Sequence, residues 1–430
     1  MDNMKRTLDG KLLPEWAYMA LIAICSVSFF SPQGLFYTQY AGAVRFFERG
    51  QKIIVALLIV VFILEMLTTI KRNGWAQVIA LKRNQIIMDI CVLIISGMQW
   101  ISTVLNDGEV NLALLRIASI VSAYLTITVL VKTNPRKGLK VLTFVFATVM
   151  LVNLVVIIYL YPSGGFRGGG SFWLFGQKNA IRNIVYPTVT FMLINDRINR
   201  IRCSLITALF LIIGLVTFLI VDSKTSLSLY LLMMVLYFGL NFLKLEFLNL
   251  QKFIIGYIVL NILVVFVRNF SLVEFFVTQI LEKDLTFTNR IYLWDQAIAG
   301  IENNFLVGKG LQGLRNVGLN IGKNYYVSHA HNALLDVLYK NGIFACVALI
   351  IIVYLCCKPI FENNNNMIAS LCGIAIGSFL IAGIFGELWS YGFYIVLFFS
   401  YMLPDLLAQL NKREKQYVQK RKVVLIARRN

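Results

Sequence analysis

The two histidines of this 430-residue chain, His329 and His331, are its best candidates for moving a proton. They lie two residues apart in a polar stretch of an otherwise apolar sequence. Histidine changes its charge near neutral pH and commonly acts as a general acid or base. The pair therefore predicts a site of proton transfer, with a surface position or a helix cap as the alternative interpretation.

Positively charged side chains accompany the histidines at the face of the membrane that the topology below assigns to the outside. They are Arg167, Lys178, Arg182, Lys224, Arg268, Arg290, Lys309, Arg315 and Lys323. Arginine presents a planar fork that binds two phosphate oxygens at once, so this set favours an anionic ligand such as a lipid-linked diphosphate. The alternative is that long outer loops escape the charge rule that governs membrane topology.

The residue types indicate one kind of reaction. A hydroxyl that attacks a sugar carbon needs a base, whereas a diphosphate is a good leaving group and needs no acid. Arginines can stabilise the charge that builds up as the diphosphate leaves. The chain has no Asp-x-Asp metal motif, and two histidines are too few for a histidine-rich metal site. We therefore expect a metal-independent reaction that uses no cofactor.

The spacing of the histidines limits how both can act. Residues i and i+2 point to nearly opposite sides of a helix, but they share a face in an extended segment. We expect one of the two to be the base, and we favour His331. The other would position it or cap the next helix, for which Ser328 and Asn332 are also candidates.

Membrane-spanning helices must position these residues. Hydrophobic residues make up 58% of the chain and charged residues 14%, whereas a soluble domain has about 25% charged residues. Apolar runs long enough to cross the hydrocarbon layer as helices recur along the sequence, which predicts an all-α polytopic membrane protein of about twelve transmembrane helices. The predicted spans are 13–31, 52–70, 85–104, 111–131, 141–160, 181–195, 203–221, 226–243, 253–267, 342–357, 367–385 and 391–409.

The positions of Lys and Arg set the predicted orientation. With the N-terminus in the cytoplasm, the basic residues gather in cytoplasmic connections, and twelve spans return the basic tail 412–430 to the same side. A net charge of +19 placed in this way favours contact with anionic membrane lipid over nucleic acid. We therefore divide the chain into one integral membrane domain, 1–411, and a cytoplasmic tail.

Two outer connections are longer than turns. The connection 161–180 is rich in glycine and aromatic residues, which permit close backbone approach and suit a membrane interface or a sugar face. The connection 268–341, between spans 9 and 10, contains an amphipathic segment from Arg290, the break Gly308-Lys309-Gly310, and the histidines. Loops of this length usually have a function, so we expect 268–341 to be an extracytoplasmic catalytic loop.

This second loop resembles the C-terminal signature of the O-antigen ligase and polymerase superfamily. The resemblance is carried by Asn289-Arg290-x-x-x-Trp294, Gly308-Lys309-Gly310, His329-Ala330-His331-Asn332, Leu334-Leu335 and Gly342-Ile343. Two shorter motifs of the family are similar to Gly176-Gln177-Lys178-Asn179 and Asp222-Ser223-Lys224-Thr225-Ser226. Recognisable motifs cover only about 176–343.

The resemblance implies a multi-span, GT-C-like glycosyltransferase in the bacterial cytoplasmic (inner) membrane, with its active site on the outer face. It would transfer glycan from undecaprenyl diphosphate with inversion and without metal. By position, Arg290 and Lys224 would contact the diphosphate, and His329 or His331 would activate the acceptor hydroxyl. The family usually has arginine where this chain has Lys224, and lysine lacks the fork. The other expected substrate-binding residues are Arg182, Arg167, Lys178, Asn179, Asn332, Trp294, Arg315 and Arg116.

Arg116 lies inside the fourth predicted span, where a charge is costly and usually faces the bundle interior. Two interpretations are open. A structural ion pair with Asp89 of the third span is the one we favour. The other is that Arg116 lies near the outer end of its span and joins the diphosphate site.

Four functions fit the sequence to different degrees. We expect polymerisation of undecaprenyl-diphosphate-linked oligosaccharide repeat units into capsular, exo- or O-antigen polysaccharide, with chain-length regulator and flippase proteins as partners. The nearest alternative is a ligase that transfers finished glycan to another acceptor. A transporter or flippase would favour two related halves and midplane charges, and no internal repeat is visible. If the protein were a scaffold for other glycan enzymes, substitution of the histidines would be harmless.

Overall fold

The fold is known from a computed structural model. It describes residues 14–74, 83–166, 172–242, 250–266, 290–313, 319–320, 327–412 and 416. The candidates Arg167 and Arg315, nearly all of the tail 412–430, and part of the catalytic loop 268–341 lie outside the described residues.

Helices make up most of the described chain. In order they are α1 Glu15–Ser28, α2 Ala41–Asn73, α3 Arg83–Leu105, α4 Val110–Leu125, α5 Pro135–Leu160, α6 Arg182–Ile198, α7 Leu205–Ile220, α8 Lys224–Phe242, α9 Leu250–Phe266, α10 Arg290–Asn303, α11 Ala333–Glu362, α12 Met367–Ile384 and α13 Tyr391–Tyr401. A π-helical segment, Thr126–Val131, extends α4. The strands β1 Phe172–Trp173 and β2 Gly176–Gln177 form a short antiparallel hairpin.

The all-α polytopic membrane fold is confirmed. Among the described residues, seven helices are long and apolar enough to cross a membrane, and the bent pair Tyr391–Tyr401 and Leu403–Lys412 raises this to eight. Three shorter apolar helices are Leu205–Ile220, Lys224–Leu240 and Leu250–Ile262. The count of twelve spans and the GT-C-like architecture stay predictions.

Helices α12 and α13 form the centre of the bundle. Both are apolar on all sides, and nearly all of their residues are buried, as expected for helices surrounded by other helices. Helix α12 contacts α6, α8, α9 and α11, and α13 contacts α4, α6 and α11. The short connection 385–390 between them therefore lies at the middle of one end of the bundle.

A backbone junction joins the segment after α10 to a kink in α11 at Gly342 (φ 73°). The N–H of Lys309 donates to the carbonyl of Tyr339 at 2.7 Å, and that of Gly310 donates to the carbonyl of Lys340 at 2.8 Å. These carbonyls lie in the turn that the kink interrupts, so the junction satisfies groups that a regular helix would pair internally. The Gly308-Lys309-Gly310 motif thus has a structural role.

The connections predicted to be extracytoplasmic meet at one end of the bundle. The N–H of Gly34 donates to the carbonyl of Leu174 at 2.9 Å, and the N–H of Glu109 donates to the carbonyl of Leu311 at 2.7 Å. We call this the histidine end. Connections predicted to be cytoplasmic meet at the opposite end, where the side chain of Arg136 donates to Asn199 at 2.9 Å.

Candidate functional site

A cavity of about 370 Å³ opens at the histidine end, and we call it the histidine cavity. Helices α2, α4, α6 and α13 contribute to its wall. The rest of the wall comes from the connections that follow α1, precede α6, precede α11 and join α12 to α13. Five of the residues predicted from the sequence line it: Arg116, Asn179, Arg182, His329 and His331. The fold thus brings together candidates that are more than two hundred residues apart in the chain.

The two imidazole rings contact each other in the cavity wall. Their centroids are 4.1 Å apart and their planes meet at 39°. His331 has a left-handed backbone with φ 52°, so the segment is neither helical nor extended. This turn places both histidine side chains on the same side of the segment. The cap of α11 is Asn332, whose side-chain oxygen accepts from the N–H groups of Leu334 and Leu335 at 3.1 and 3.2 Å.

Both histidines are neutral at neutral pH. Burial, then the neighbouring His329 and the charge of Arg290, lowers the pKa of His331 to about 3. Burial also lowers the pKa of His329, although the carboxylate of Glu387 opposes that shift. The cavity therefore presents two unprotonated imidazoles, which is the form that can accept a proton.

Arg116 forms its ion pair with Glu387, and the expected pair with Asp89 is wrong. The carboxylate of Asp89 accepts a hydrogen bond from the hydroxyl of Tyr124 instead. Tyr124 lies eight residues beyond Arg116 on α4, which is about 12 Å along the helix axis. Asp89 is therefore too deep in the bundle to reach Arg116, whose side chain lines the histidine cavity.

Glu387 is a site residue that the sequence interpretation missed. Its side chain pairs with Arg116, and its backbone carbonyl accepts from the guanidinium of Arg182. Burial opposes ionisation of this carboxyl, but Arg116, and then His329 and Lys340, hold its pKa below the usual range. The signal in the sequence was a single acidic residue in a short connection between two wholly apolar helices, which served only to assign topology.

Arg182 is the most deeply buried cation of the cavity wall, with 3% of its surface exposed. It lies at the first residue of α6, and its Nε–H has no hydrogen-bond partner among the described residues. The side-chain oxygen of the adjacent Asn183, which also lines the cavity, is unpaired as well. Buried polar groups are normally satisfied, and these two unpaired atoms belong to neighbouring residues of the cavity wall.

Arg290 approaches the cavity without forming part of its described wall. It begins α10, and its guanidinium carbon lies 5.9 Å from the ring centroid of Phe385, at the start of the connection that carries Glu387. Its charge contributes to the lowered pKa of His331. Arg290 therefore lies close to the histidine pair and to the connection that carries Glu387.

The two shorter sequence motifs contact each other at the cavity edge. The hydroxyl of Ser223 donates to the side-chain oxygen of Asn179 at 2.8 Å, and the ammonium of Lys178 lies 4.0 Å from the carboxylate of Asp222. Asn179 reaches the cavity wall. Lys224 is exposed at the start of α8 and is not part of that wall.

Trp294 and Asn332 are engaged within the protein and do not line the histidine cavity. Trp294 is fully buried in a small apolar cluster with Leu335 and Tyr339, which packs α10 against α11. Asn332 is 1% exposed, and its side-chain N–H donates to Asn261 at 2.7 Å. Both therefore hold the histidine segment in place, and the substrate contacts expected of them stay predictions.

Residues 204–350, about a third of the chain, match the protein-family model described as O-antigen ligase. The match confirms the resemblance to the O-antigen ligase and polymerase superfamily. The matched segment contains Lys224, Arg290, the histidine pair and the Gly342 kink. It supports a function of the ligase and polymerase type, and it does not separate the two activities. A search of curated proteins found no match.

Proposed function

We propose that this membrane protein is a glycosyltransferase that polymerises lipid-linked oligosaccharide repeat units. The donor is the growing glycan on undecaprenyl diphosphate, and the acceptor is a single lipid-linked repeat. The reaction takes place at the outer face of the bacterial cytoplasmic membrane. The observation that carries the proposal is the histidine cavity, in which an unprotonated histidine pair lies in the same wall as Arg182 and Arg116.

The arginines hold the diphosphate of the donor. Arg182 offers an unpaired N–H in a buried position, and Arg290 adds a second positive charge beside His331. Charge-assisted hydrogen bonds from guanidinium to phosphate are about twice as strong as neutral ones. They strengthen further as the bond to the sugar breaks and negative charge collects on the leaving oxygen.

His331 receives the proton in this reaction. The acceptor hydroxyl attacks the anomeric carbon from the face opposite the diphosphate, and its proton passes to the imidazole. The bond between the anomeric carbon and the diphosphate oxygen breaks, and the electron pair leaves with that oxygen. One displacement inverts the configuration of the sugar. A bound diphosphate offsets the charge of Arg290, which raises the basicity of His331 at the moment when it is needed.

Glu387 balances the positive charge that the reaction creates. An imidazolium forms next to Arg116, Arg182 and Arg290 when the proton is transferred. Glu387 is an ionised carboxylate in the same wall, paired with Arg116 and acting on His329. An adjacent carboxylate stabilises an imidazolium without taking its proton.

The test gives the purified protein, in lipid vesicles, only lipid-linked repeat units. We expect a ladder of products that differ by one repeat, because each product can serve again as donor. The match to the O-antigen ligase family is equally compatible with one alternative, the transfer of finished glycan to a different acceptor. A ligase would leave the repeats unextended in this assay and would act only after its own acceptor is added.

A further inference from the structure

A buried ion pair lies directly behind the histidine segment. The ammonium of Lys340 is 2.8 Å from the Oδ2 of Asp336, and the two side chains are 6% and 3% exposed. Both residues are on the first turns of α11, one helical turn apart. Neither lines the histidine cavity. A buried pair of this kind contributes little net stability on its own, so its position asks for another explanation.

The other oxygen of Asp336 holds the backbone between the two histidines. Its Oδ1 accepts a hydrogen bond from the N–H of Ala330 at 3.0 Å. Ala330 is fully buried, so no water competes for that N–H. Lys340 occupies Oδ2, and this leaves Oδ1 for Ala330.

The turn held by this hydrogen bond is unfavourable by itself. His331 has a left-handed backbone, which a residue with a Cβ atom adopts only where its surroundings enforce it. Asn332 fixes the chain on the other side of His331 by capping α11. The anchors at Ala330 and Asn332 thus bracket His331, and both imidazoles turn into the cavity.

We infer that Asp336 is a positioning residue, which sets the direction of the catalytic imidazole by holding the N–H of Ala330. The inference deepens the proposed function and rests on it. Asp336 touches neither substrate nor the reacting atoms. Its side chain acts through the backbone, and the contact of Lys340 with Oδ2 holds it in this orientation. A displacement of the base of about 1 Å lowers the rate of an enzyme by about a hundredfold.

Two double variants separate the hydrogen bond from the charge pair. A single substitution would leave one charge buried and unpaired, which disturbs folding. D336N/K340M and D336L/K340M both remove the two charges and differ only at position 336. Asparagine and leucine have similar shape, but only the asparagine oxygen can accept from the N–H of Ala330.

The measurement is kcat and KM for lipid-linked repeats with each purified protein in vesicles. We expect D336N/K340M to keep kcat within about fivefold of the unaltered protein, since a neutral acceptor replaces a charged one. We expect D336L/K340M to lose about a hundredfold in kcat with KM changed by less than about threefold. Binding is preserved because the arginines of the cavity wall are unchanged.

Either of two results overturns the inference. One is an unchanged kcat in D336L/K340M. The other is a loss of kcat in D336N/K340M although the variant reaches the membrane and binds donor with normal KM, because its hydrogen bond is intact. The second result would overturn the inference even if D336L/K340M does not fold. If the unaltered protein itself makes no ladder, the proposed function fails instead, so the two failures are distinguishable.

Discussion

The two ends of the helix bundle carry the same kinds of charged side chain in different surroundings. At the histidine end, Asp336 and Lys340 are 3% and 6% exposed, and Arg116 and Glu387 are 24% and 34% exposed. At the opposite end, the Lys137–Glu15 pair is 55% and 39% exposed, and the Lys132–Asp405 pair is 41% and 51% exposed. Of these four pairs, Asp336–Lys340 is the one kept out of water, whereas both pairs at the opposite end are exposed.

This difference in exposure to water changes how strongly the paired charges interact. Two charges interact several times more strongly where water is excluded than at a wet surface. A pair at the opposite end is screened by solvent and contributes about 0–1 kcal/mol. At the histidine end, Arg182 and Asn183 each have an unpaired buried side-chain atom and line the histidine cavity, where we propose that a charged ligand binds.

The largest expected effect comes from removing the base or the charge beside it. We expect His331→Ala and Arg290→Ala each to lower the polymerisation rate by about a thousandfold or more, because general base catalysis alone contributes about 10²–10⁴. The assay is the rate of repeat addition, with the amount of protein in the membrane measured in parallel. Normal chain lengths in both variants would show that the histidine end is not the site.

Glu387→Gln should have the next largest effect. The substitution leaves the backbone carbonyl of residue 387, which accepts a hydrogen bond from Arg182. It removes the negative charge that offsets the positive charges of Arg116 and of the imidazolium formed in the reaction. We expect kcat to fall about 10- to 100-fold, since an electrostatic contact made in the transition state is lost. Glu15→Gln at the opposite end is the matched control. Equal effects of the two substitutions would remove the distinction between the ends.

The pH profile should reflect the lowered pKa values of the histidines. A lowered pKa means that the protonated, inactive form appears only at lower pH. We expect kcat/KM, which reports the free enzyme, to stay level from pH 8 down to about pH 5. An ordinary histidine with a pKa of about 6.5 would lose activity over that range. A tenfold loss between pH 6.5 and 5.5 would contradict the buried, neutral pair.

The smallest effect is expected for Lys137→Ala. Its partner Glu15 is on α1, and both side chains are well exposed. We expect an unchanged rate of repeat addition and a change in the free energy of unfolding below about 1 kcal/mol. Thermal unfolding in detergent measures the second quantity. A loss of activity in a protein of normal stability would extend the functional site to the opposite end.

The sequence was sufficient for much of the fold. The predicted spans 85–104 and 367–385 agree closely with α3 and α12, because runs of apolar residues define membrane helices directly. The helix expected after the histidines is also confirmed: it begins at Ala333, and of the two candidate caps Asn332 is the one that caps it. These features depend on residues that are close together in the chain, so a single sequence is enough to predict them.

The site was harder to predict from the sequence, because it depends on contacts between segments that are distant in the chain. Arg116 and Glu387 are 271 residues apart in the chain, and nothing in either segment identifies the other. The expected Arg116–Asp89 pair failed for the same reason, since sequence gives no depth along neighbouring helices. Trp294 belongs to the motif that resembles the ligase and polymerase superfamily, yet a motif does not distinguish a packing residue from one that contacts substrate.

The location of the donor diphosphate tests the account most directly. A photoreactive undecaprenyl diphosphate analogue would be bound to the purified protein, cross-linked, and mapped by peptide mass spectrometry. The account predicts label in segments that line the histidine cavity, around Arg182, His331 and Glu387, and weaker labelling in the Arg182→Ala variant. Label confined to the segments of the opposite end, around Glu15 and Lys137, would contradict it.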